Sequence, residues 1–129
     1  ELLRTADHVV LVLPYTAQNH HTIGAAEIAM MKPTATLINI ARGGIVDDVA
    51  LAQALQSGKI FAAGLDVFEG EPKVHPELLK CSNIVLAPHI ASATEKTRRA
   101  MVDLAIENLD AALAGRKPPS LINAEVFGA

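Results

Sequence analysis

Three side chains that could handle an organic acid follow predicted buried strands of this sequence: Arg42, Glu71 and His89. A guanidinium holds a carboxylate with two parallel hydrogen bonds, and an imidazole suits general acid–base work because it titrates near neutrality. A carboxylate close to an imidazole stabilises the protonated ring. The three types together predict a site that binds an anion and transfers a proton.

Each of these residues also has a plainer interpretation. Arg42 alone suits a surface turn, Glu71 a solvated loop, and His89 a structural position at the edge of a sheet. Glu69 is the nearest rival of Glu71 as the acidic partner of His89. Three such residues beyond three consecutive strands are much less expected by accident than any one of them, so their joint occurrence favours a functional site.

The elements that must position these residues follow from the hydrophobic pattern. Apolar runs predict buried strands, and an apolar face at helical spacing predicts helices. The predicted strands are His8–Pro14, Thr36–Ala41, Ile60–Val67 and Asn83–Pro88, and the predicted helices are Ala25–Met31, Asp47–Gln56 with Asp47 as N-cap, and Thr94–Ala114. Tyr15–Ile23 is predicted as a loop or short helix, Glu77–Lys80 as a helical turn, and Leu121–Ala129 as an irregular tail.

Strands that alternate with helices or long crossovers predict an α/β fold with a parallel sheet. Ligands of such sheets bind in the crevice beyond the carboxyl ends of the strands. The order of the strands does not follow from the sequence, so the convergence of Arg42, Glu71 and His89 is a hypothesis.

Composition narrows the class of protein. Half of the 129 residues are hydrophobic but only four are aromatic, which predicts an aliphatic core, and the net charge of −3 with no basic run argues against nucleic acid or an anionic membrane as partner. The single cysteine, Cys81, excludes an internal disulfide and favours a reducing, cytoplasmic setting. The N-terminus has neither signal-peptide features nor a start Met, so we expect a piece of a longer protein.

Other polar residues support weaker hypotheses. Asp66 stands inside an apolar strand and must therefore be hydrogen-bonded, either to an amide-bearing ligand or to nearby backbone. The adjacent His20 and His21 diverge on any regular element, and no metal site is predicted there. Cys81 lacks an activating motif and is expected to be a small, buried side chain.

Three motifs carry a resemblance to a known family. Asn39–Asp47, Gly64–Pro72 and Ala87–Thr94 strongly resemble the D-isomer-specific 2-hydroxyacid dehydrogenases, and Leu13–Thr16 and Met31–Pro33 fit the same pattern. The likeness covers nearly the whole chain in order and spacing. The stretch Ala87–Thr94 and the tail Pro118–Asn123 are most similar to the glyoxylate, hydroxypyruvate and 2-ketogluconate reductase branch.

The resemblance implies a role for each site residue. Arg42 would hold the substrate carboxylate and carbonyl, His89 would protonate the carbonyl oxygen, and Glu71 would keep His89 protonated. Asp66 would contact the nicotinamide carboxamide. The residues implied to line the dinucleotide are Leu13, Pro14, Ile40, Ala41, Arg42, His89, Ile90, Ala91 and Ser92.

The resemblance also implies an architecture and partners. Residues 1–93 would be the second half of a Rossmann-type cofactor domain, and residues 94–129 a long helix and tail that return to a substrate domain. The expected partners are NAD or NADP, with NADP slightly favoured by the branch, a small 2-keto acid, and a second copy in a homodimer. The Gly-x-Gly-x-x-Gly phosphate turn is absent, so we expect this chain to be inactive alone because it lacks half of the cofactor cleft. Ala91 stands where many relatives carry Gly, a mild change beside the cofactor.

Three alternatives stay open. Some members of the superfamily are NAD(H)-sensing co-regulators that keep the same three residues. Formate dehydrogenase is a relative with Gln in place of the acid near the histidine, and Glu71 argues against it. An α/β domain of another kind would leave the charges at the strand ends incidental.

Overall fold

The central feature of the fold is a four-stranded parallel sheet. The computed structural model describes residues 1–127. Its strands are β1 (His8–Leu11), β2 (Thr36–Asn39), β3 (Ala62–Leu65) and β4 (Ile84–Leu86), hydrogen-bonded in the order β1-β2-β3-β4. Every pairing is parallel. The predicted parallel α/β sheet is confirmed, and because its order follows the chain, successive strand ends are spatial neighbours.

Helices and short turns connect the strands. They are α1 (Leu2–Thr5), α2 (Ala25–Met30) and α3 (Asp48–Gln56), with 3-10 turns at Ala17–Asn19 and Leu78–Lys80. The predicted N-cap is confirmed, since the Asp47 carboxylate accepts hydrogen bonds from the N–H groups of Val49 and Ala50. The core is aliphatic, as predicted, and its fully buried members include Ile28, Met31, Leu37, Ile45, Leu51, Ile60 and Leu78.

The strands are shorter than the apolar runs that predict them. The run His8–Pro14, for example, gives a strand that ends at Leu11, and Thr36–Ala41 gives one that ends at Asn39. Of the apolar residues just past the ladder, Leu13 and Ala41 are partly or fully buried, whereas Val12 and Ile40 are exposed. The short helix α1 was not predicted, since four residues give too little periodicity to detect.

The chain divides into two compact units, residues 1–90 and residues 91–129. The second unit contains α4 (Glu95–Leu113), whose N-cap Thr94 accepts a hydrogen bond from the Thr97 N–H, and a 3-10 turn at Ala124–Val126. The long helix is confirmed. The predicted irregular tail therefore contains one helical turn, and its residues 128–129 lie outside the described residues. That this unit returns to a substrate domain stays a prediction.

No helix within residues 1–127 has both the length and the apolar character that crossing a bilayer requires.

Candidate active site

Arg42 sits in a turn that a buried polar side chain holds in place. Asn39, at the end of β2 and only 1% exposed, accepts a hydrogen bond from the Ala41 N–H at 3.0 Å and donates one to the Arg42 carbonyl at 2.9 Å. An amide with both an acceptor and a donor is needed for this pair of bonds. Asn39 therefore fixes the turn from which the guanidinium projects. Sequence reasoning assigned Asn39 no role, although a polar residue inside an apolar strand was the available signal.

The glycine after Arg42 allows two loops to meet. A Cβ placed on Gly43 would lie only 1.8 Å from the carbonyl oxygen of Phe68, in the loop after β3. That distance is far inside van der Waals contact, so only glycine fits here. The contact brings the loop that carries Glu69 and Glu71 against the loop that carries Arg42.

Glu71 and His89 form a hydrogen-bonded pair. The Oε2 atom of Glu71 lies 2.8 Å from Nδ1 of His89, and its Oε1 atom accepts a hydrogen bond from the Phe68 N–H at 2.9 Å. Burial raises the pKa of the Glu71 carboxyl, but the hydrogen bonds from His89 and Phe68 outweigh that effect and leave the pKa below its usual value. The carboxylate is therefore ionised at neutral pH and able to stabilise a positive charge on the imidazole.

The backbone of His89 adopts an unusual conformation. Its φ angle is +55°, in the left-handed region that only a few per cent of residues other than Gly occupy. Such a conformation costs about 1 kcal/mol or more and persists only where surrounding contacts hold it. The bond to Glu71 is one such contact.

One open cavity of about 910 Å³ collects these side chains at the carboxyl edge of the sheet. Arg42, Glu71 and His89 all line it, and Glu69 lies beside them. Its other walls include the four apolar residues Leu13, Pro14, Ile40 and Ala41 that follow β1 and β2. The guanidinium of Arg42 donates at 2.6 Å to the Ala41 carbonyl. The predicted convergence of the three charged residues is thus what the structure shows, while their roles stay predictions.

Of the rivals for the acidic partner, Glu71 is the residue that contacts His89. Glu69 instead contacts two histidines of the loop after β1, with Oε2 at 2.9 Å from Nε2 of His21 and Oε1 at 3.7 Å from Nε2 of His20. Gly70, with φ +79°, forms the turn between Glu69 and Glu71, and the two side chains on either side of it contact different histidines.

Asp66 adopts the second of its two predicted alternatives. It is buried, and its Oδ1 accepts a hydrogen bond from the Ile90 N–H at 2.8 Å, directly after His89. It thereby fixes the loop after β4, and neither Asp66 nor Ile90 is among the residues that line the cavity. Ala91 and Ser92 belong to the second compact unit. Contact of these four residues with a dinucleotide stays a prediction.

The expectation that His20 and His21 diverge is wrong. Their rings stack with centroids 3.8 Å apart, because the 3-10 turn ends at this point and His21 takes a φ of +52°. With Glu69 they form a group whose possible ligand atoms lie within 4.8 Å of one another. The ring planes are only 22° apart, so the nitrogen lone pairs of the two rings lie in nearly parallel planes, which is poorly suited to convergence on one tetrahedral ion.

Comparison with known proteins gives the same family that the motifs suggest. Residues 1–91 match the family described as D-isomer specific 2-hydroxyacid dehydrogenase, NAD binding domain. The chain is 52% identical over 127 residues to a glyoxylate reductase of Thermococcus onnurineus, covering 98% of this chain and 38% of that protein. It is 51% identical over 128 residues to glyoxylate/hydroxypyruvate reductase B of Citrobacter koseri, covering 98% of this chain and 40% of the relative.

A solved structure agrees in fold as well as in sequence. The NADPH-dependent glyoxylate/hydroxypyruvate reductase of Sinorhizobium meliloti, in complex with NADP and malonate, superposes with a TM-score of 0.82 at 42% identity. The match covers 88% of this chain and 35% of that one, so this chain spans well under half the length of its relatives. On the family match and these identities, the chain belongs to the D-isomer specific 2-hydroxyacid dehydrogenase family.

Proposed function

We propose that this chain is the catalytic half of the cofactor domain of a reductase that transfers hydride between NAD(P)H and a small 2-keto acid such as glyoxylate or hydroxypyruvate. The observation that carries the proposal is the shared cavity of Arg42 and the Glu71–His89 pair, with the last two 2.8 Å apart. The activity named for the relatives from Thermococcus and Citrobacter supports the same substrate class.

Each of the three residues has a distinct task in this proposal. Arg42 binds the carboxylate of the keto acid with its planar fork and orients the neighbouring carbonyl. His89 donates a proton to the carbonyl oxygen as the alcohol forms, and recovers one from solvent afterwards. Glu71 accepts a hydrogen bond from the Nδ1–H of His89, so that Nε2 is the atom that faces the substrate. The negative charge of Glu71 also stabilises the protonated ring of His89.

The residues around the cavity fit a nicotinamide cofactor. The cavity residues nearest the ends of β1 and β2 are apolar, and Ile40 remains 45% exposed there, a surface that a flat aromatic ring would cover. Leu13, Pro14, Ile40 and Ala41 would hold the nicotinamide half by packing. The cofactor supplies the hydride when it is bound, and the protein supplies orientation and electrostatics.

The test uses the full-length reductase that contains this chain. We expect oxidation of NADPH or NADH with glyoxylate and hydroxypyruvate, and a loss of about a hundredfold or more in kcat/KM for Arg42→Lys, because lysine keeps the charge but not the bidentate geometry. Arg99→Lys, on the exposed surface of α4, is the matched control. NAD(H) binding without turnover in the wild-type protein would instead identify a co-regulator.

The finer assignments rest on the resemblance. We propose NADP as the preferred cofactor, supported by the NADPH-dependent relative from Sinorhizobium, together with a homodimer, a cytoplasmic location and a second unit that belongs to the substrate domain. Comparison of kcat/KM for NADPH and NADH tests the cofactor. Sedimentation of the full-length protein tests the homodimer, and cell fractionation tests the location.

A further inference from the structure

A group of polar side chains on one wall of the cavity takes no part in the proposed chemistry. Tyr15, His20 and Glu69 line the same cavity as Arg42, Glu71 and His89. The Tyr15 hydroxyl lies 3.2 Å from Nδ1 of His20, and Nε2 of His20 lies 3.7 Å from Glu69. We call Tyr15 and His20 the polar wall. Apart from Arg42, which is assigned to the carboxylate, the other residues that line the cavity after β1 and β2 are apolar or glycine, so this pair marks a place for a second polar group of the ligand.

Neighbouring groups hold the polar wall in place. The rings of Tyr15 and His20 are nearly perpendicular with centroids 6.0 Å apart, and the His20 ring stacks on that of His21. His21 contacts Glu69 at 2.9 Å through one nitrogen and approaches Asp47 at 3.8 Å through the other. A hydroxyl and an imidazole that are fixed in this way lose little side-chain entropy when they bind a ligand, which is the condition for selective recognition.

The wall stands beside the expected substrate position. The loop that carries the two histidines is bonded to the segment after Arg42, since the His21 N–H donates to the Gly44 carbonyl at 2.8 Å. A Cβ on Gly44 would come within 3.1 Å of the Tyr15 ring and 3.2 Å of His20 Nδ1. The wall therefore packs on the turn that presents Arg42, and it touches the loop of Glu71 through Glu69.

We propose that the polar wall contacts the substituent that the keto acid carries beyond its carbonyl carbon, and that it selects substrates with a hydroxyl there. This inference rests on the proposed reductase function and refines it. In a keto acid held by Arg42 through its carboxylate and by His89 through its carbonyl oxygen, the substituent on the carbonyl carbon is the one part left to contact another wall of the cavity. The Tyr15 hydroxyl is paired with Nδ1 of His20, and its oxygen can accept a second hydrogen bond, which a hydroxyl of the substrate would donate. A substrate without that hydroxyl lacks this bond and is bound less well.

The experiment compares hydroxypyruvate with pyruvate, which differ only by a hydroxyl, in the full-length reductase. We expect Tyr15→Phe and His20→Ala each to lower the ratio of kcat/KM for hydroxypyruvate to that for pyruvate by about tenfold. His20→Gln can still hydrogen-bond the Tyr15 hydroxyl and should recover part of the ratio. His8→Ala is the matched control, because His8 contacts Thr36 away from the cavity.

Three outcomes would overturn the inference. An equal loss on both substrates would make the wall purely structural, and a rise confined to the KM of NAD(P)H would assign it to the cofactor. Calorimetric binding of D-glycerate and D-lactate to the protein with oxidised cofactor separates this inference from the proposed function. Preference for D-glycerate that is lost in His20→Ala supports the polar wall even if no turnover is found, and equal binding of both acids by the wild type refutes it.

Discussion

Nδ1 of His89 and Oε2 of Glu71 lie 2.8 Å apart across two loops that follow different strands of the sheet. The second carboxylate oxygen of Glu71 is held by the Phe68 N–H, so the acid is fixed in orientation as well as in position. An imidazole bonded through Nδ1 keeps Nε2 available for a second partner, which is the arrangement that a general acid needs.

Glu71→Gln should weaken this pair without removing it. The amide can still accept a hydrogen bond from Nδ1, but it carries no charge to stabilise the imidazolium. We expect kcat/KM for keto-acid reduction by the proposed full-length reductase to fall about tenfold to a hundredfold. Unchanged turnover in this variant would contradict the electrostatic role. Glu77→Gln, which removes an exposed contact with Lys80 outside the cavity, serves as control.

Asn39→Leu should loosen the turn that carries Arg42. The leucine side chain fills a similar volume but leaves the Ala41 N–H and the Arg42 carbonyl without their bonds to the amide. We expect the free energy of unfolding in urea to fall by about 1–3 kcal/mol, and the KM for the keto acid to rise more than that for NAD(P)H. Asn83→Leu, which removes an exposed bond to the Phe61 carbonyl, should leave both KM values unchanged.

Gly43→Ala should be far more damaging than Gly64→Ala. The new Cβ at position 43 would fall 1.8 Å from the Phe68 carbonyl oxygen, whereas at position 64 the nearest atom, on Ile38, is 3.9 Å away. We expect a loss of about 3 kcal/mol or more for the first and a change within about 1 kcal/mol for the second. Thermal unfolding of both variants checks this. Similar melting temperatures for the two would show that the loops do not meet at Gly43.

Asp48 should make stability depend on pH. It is 3% exposed, and its burial raises the pKa of the carboxyl to about 6, although the hydrogen bond from the Glu69 N–H opposes the rise. The folded protein holds this proton more tightly than the unfolded chain does. The stabilisation that protonated Asp48 contributes is therefore fully present below a pH of about 4 and is lost as the pH rises through about 6.

The matching variant is Asp48→Asn, which can still accept the Glu69 N–H through its amide oxygen. We expect it to raise the free energy of unfolding at pH 8 by about 1–2 kcal/mol relative to the wild type, and by much less at pH 4. Urea unfolding at the two pH values measures the difference. A gain of the same size at both would show that ionisation of Asp48 is not its cause.

Local patterns in the sequence were sufficient for the elements of the fold. The apolar runs that begin at His8 and Thr36 predicted strands, and Asp47 and Gly115 marked the start of α3 and the end of α4. Such signals can be detected because strand burial, N-caps and left-handed C-terminal glycines depend on nearest neighbours along the chain. The motifs around Arg42, Glu71 and His89 were likewise sufficient to indicate the family.

Contacts between distant segments were decided only by the tertiary structure. The order of the strands, the choice of Glu71 over Glu69 as the partner of His89, and the stacking of His20 on His21 all depend on loops that meet after folding. The close approach of Gly43 to the Phe68 carbonyl and the two hydrogen bonds of Asn39 help to position these loops. The sequence by itself therefore determined which chemical groups stand at the strand ends, whereas their pairing followed from three-dimensional packing, because no local propensity encodes the distance between two loops.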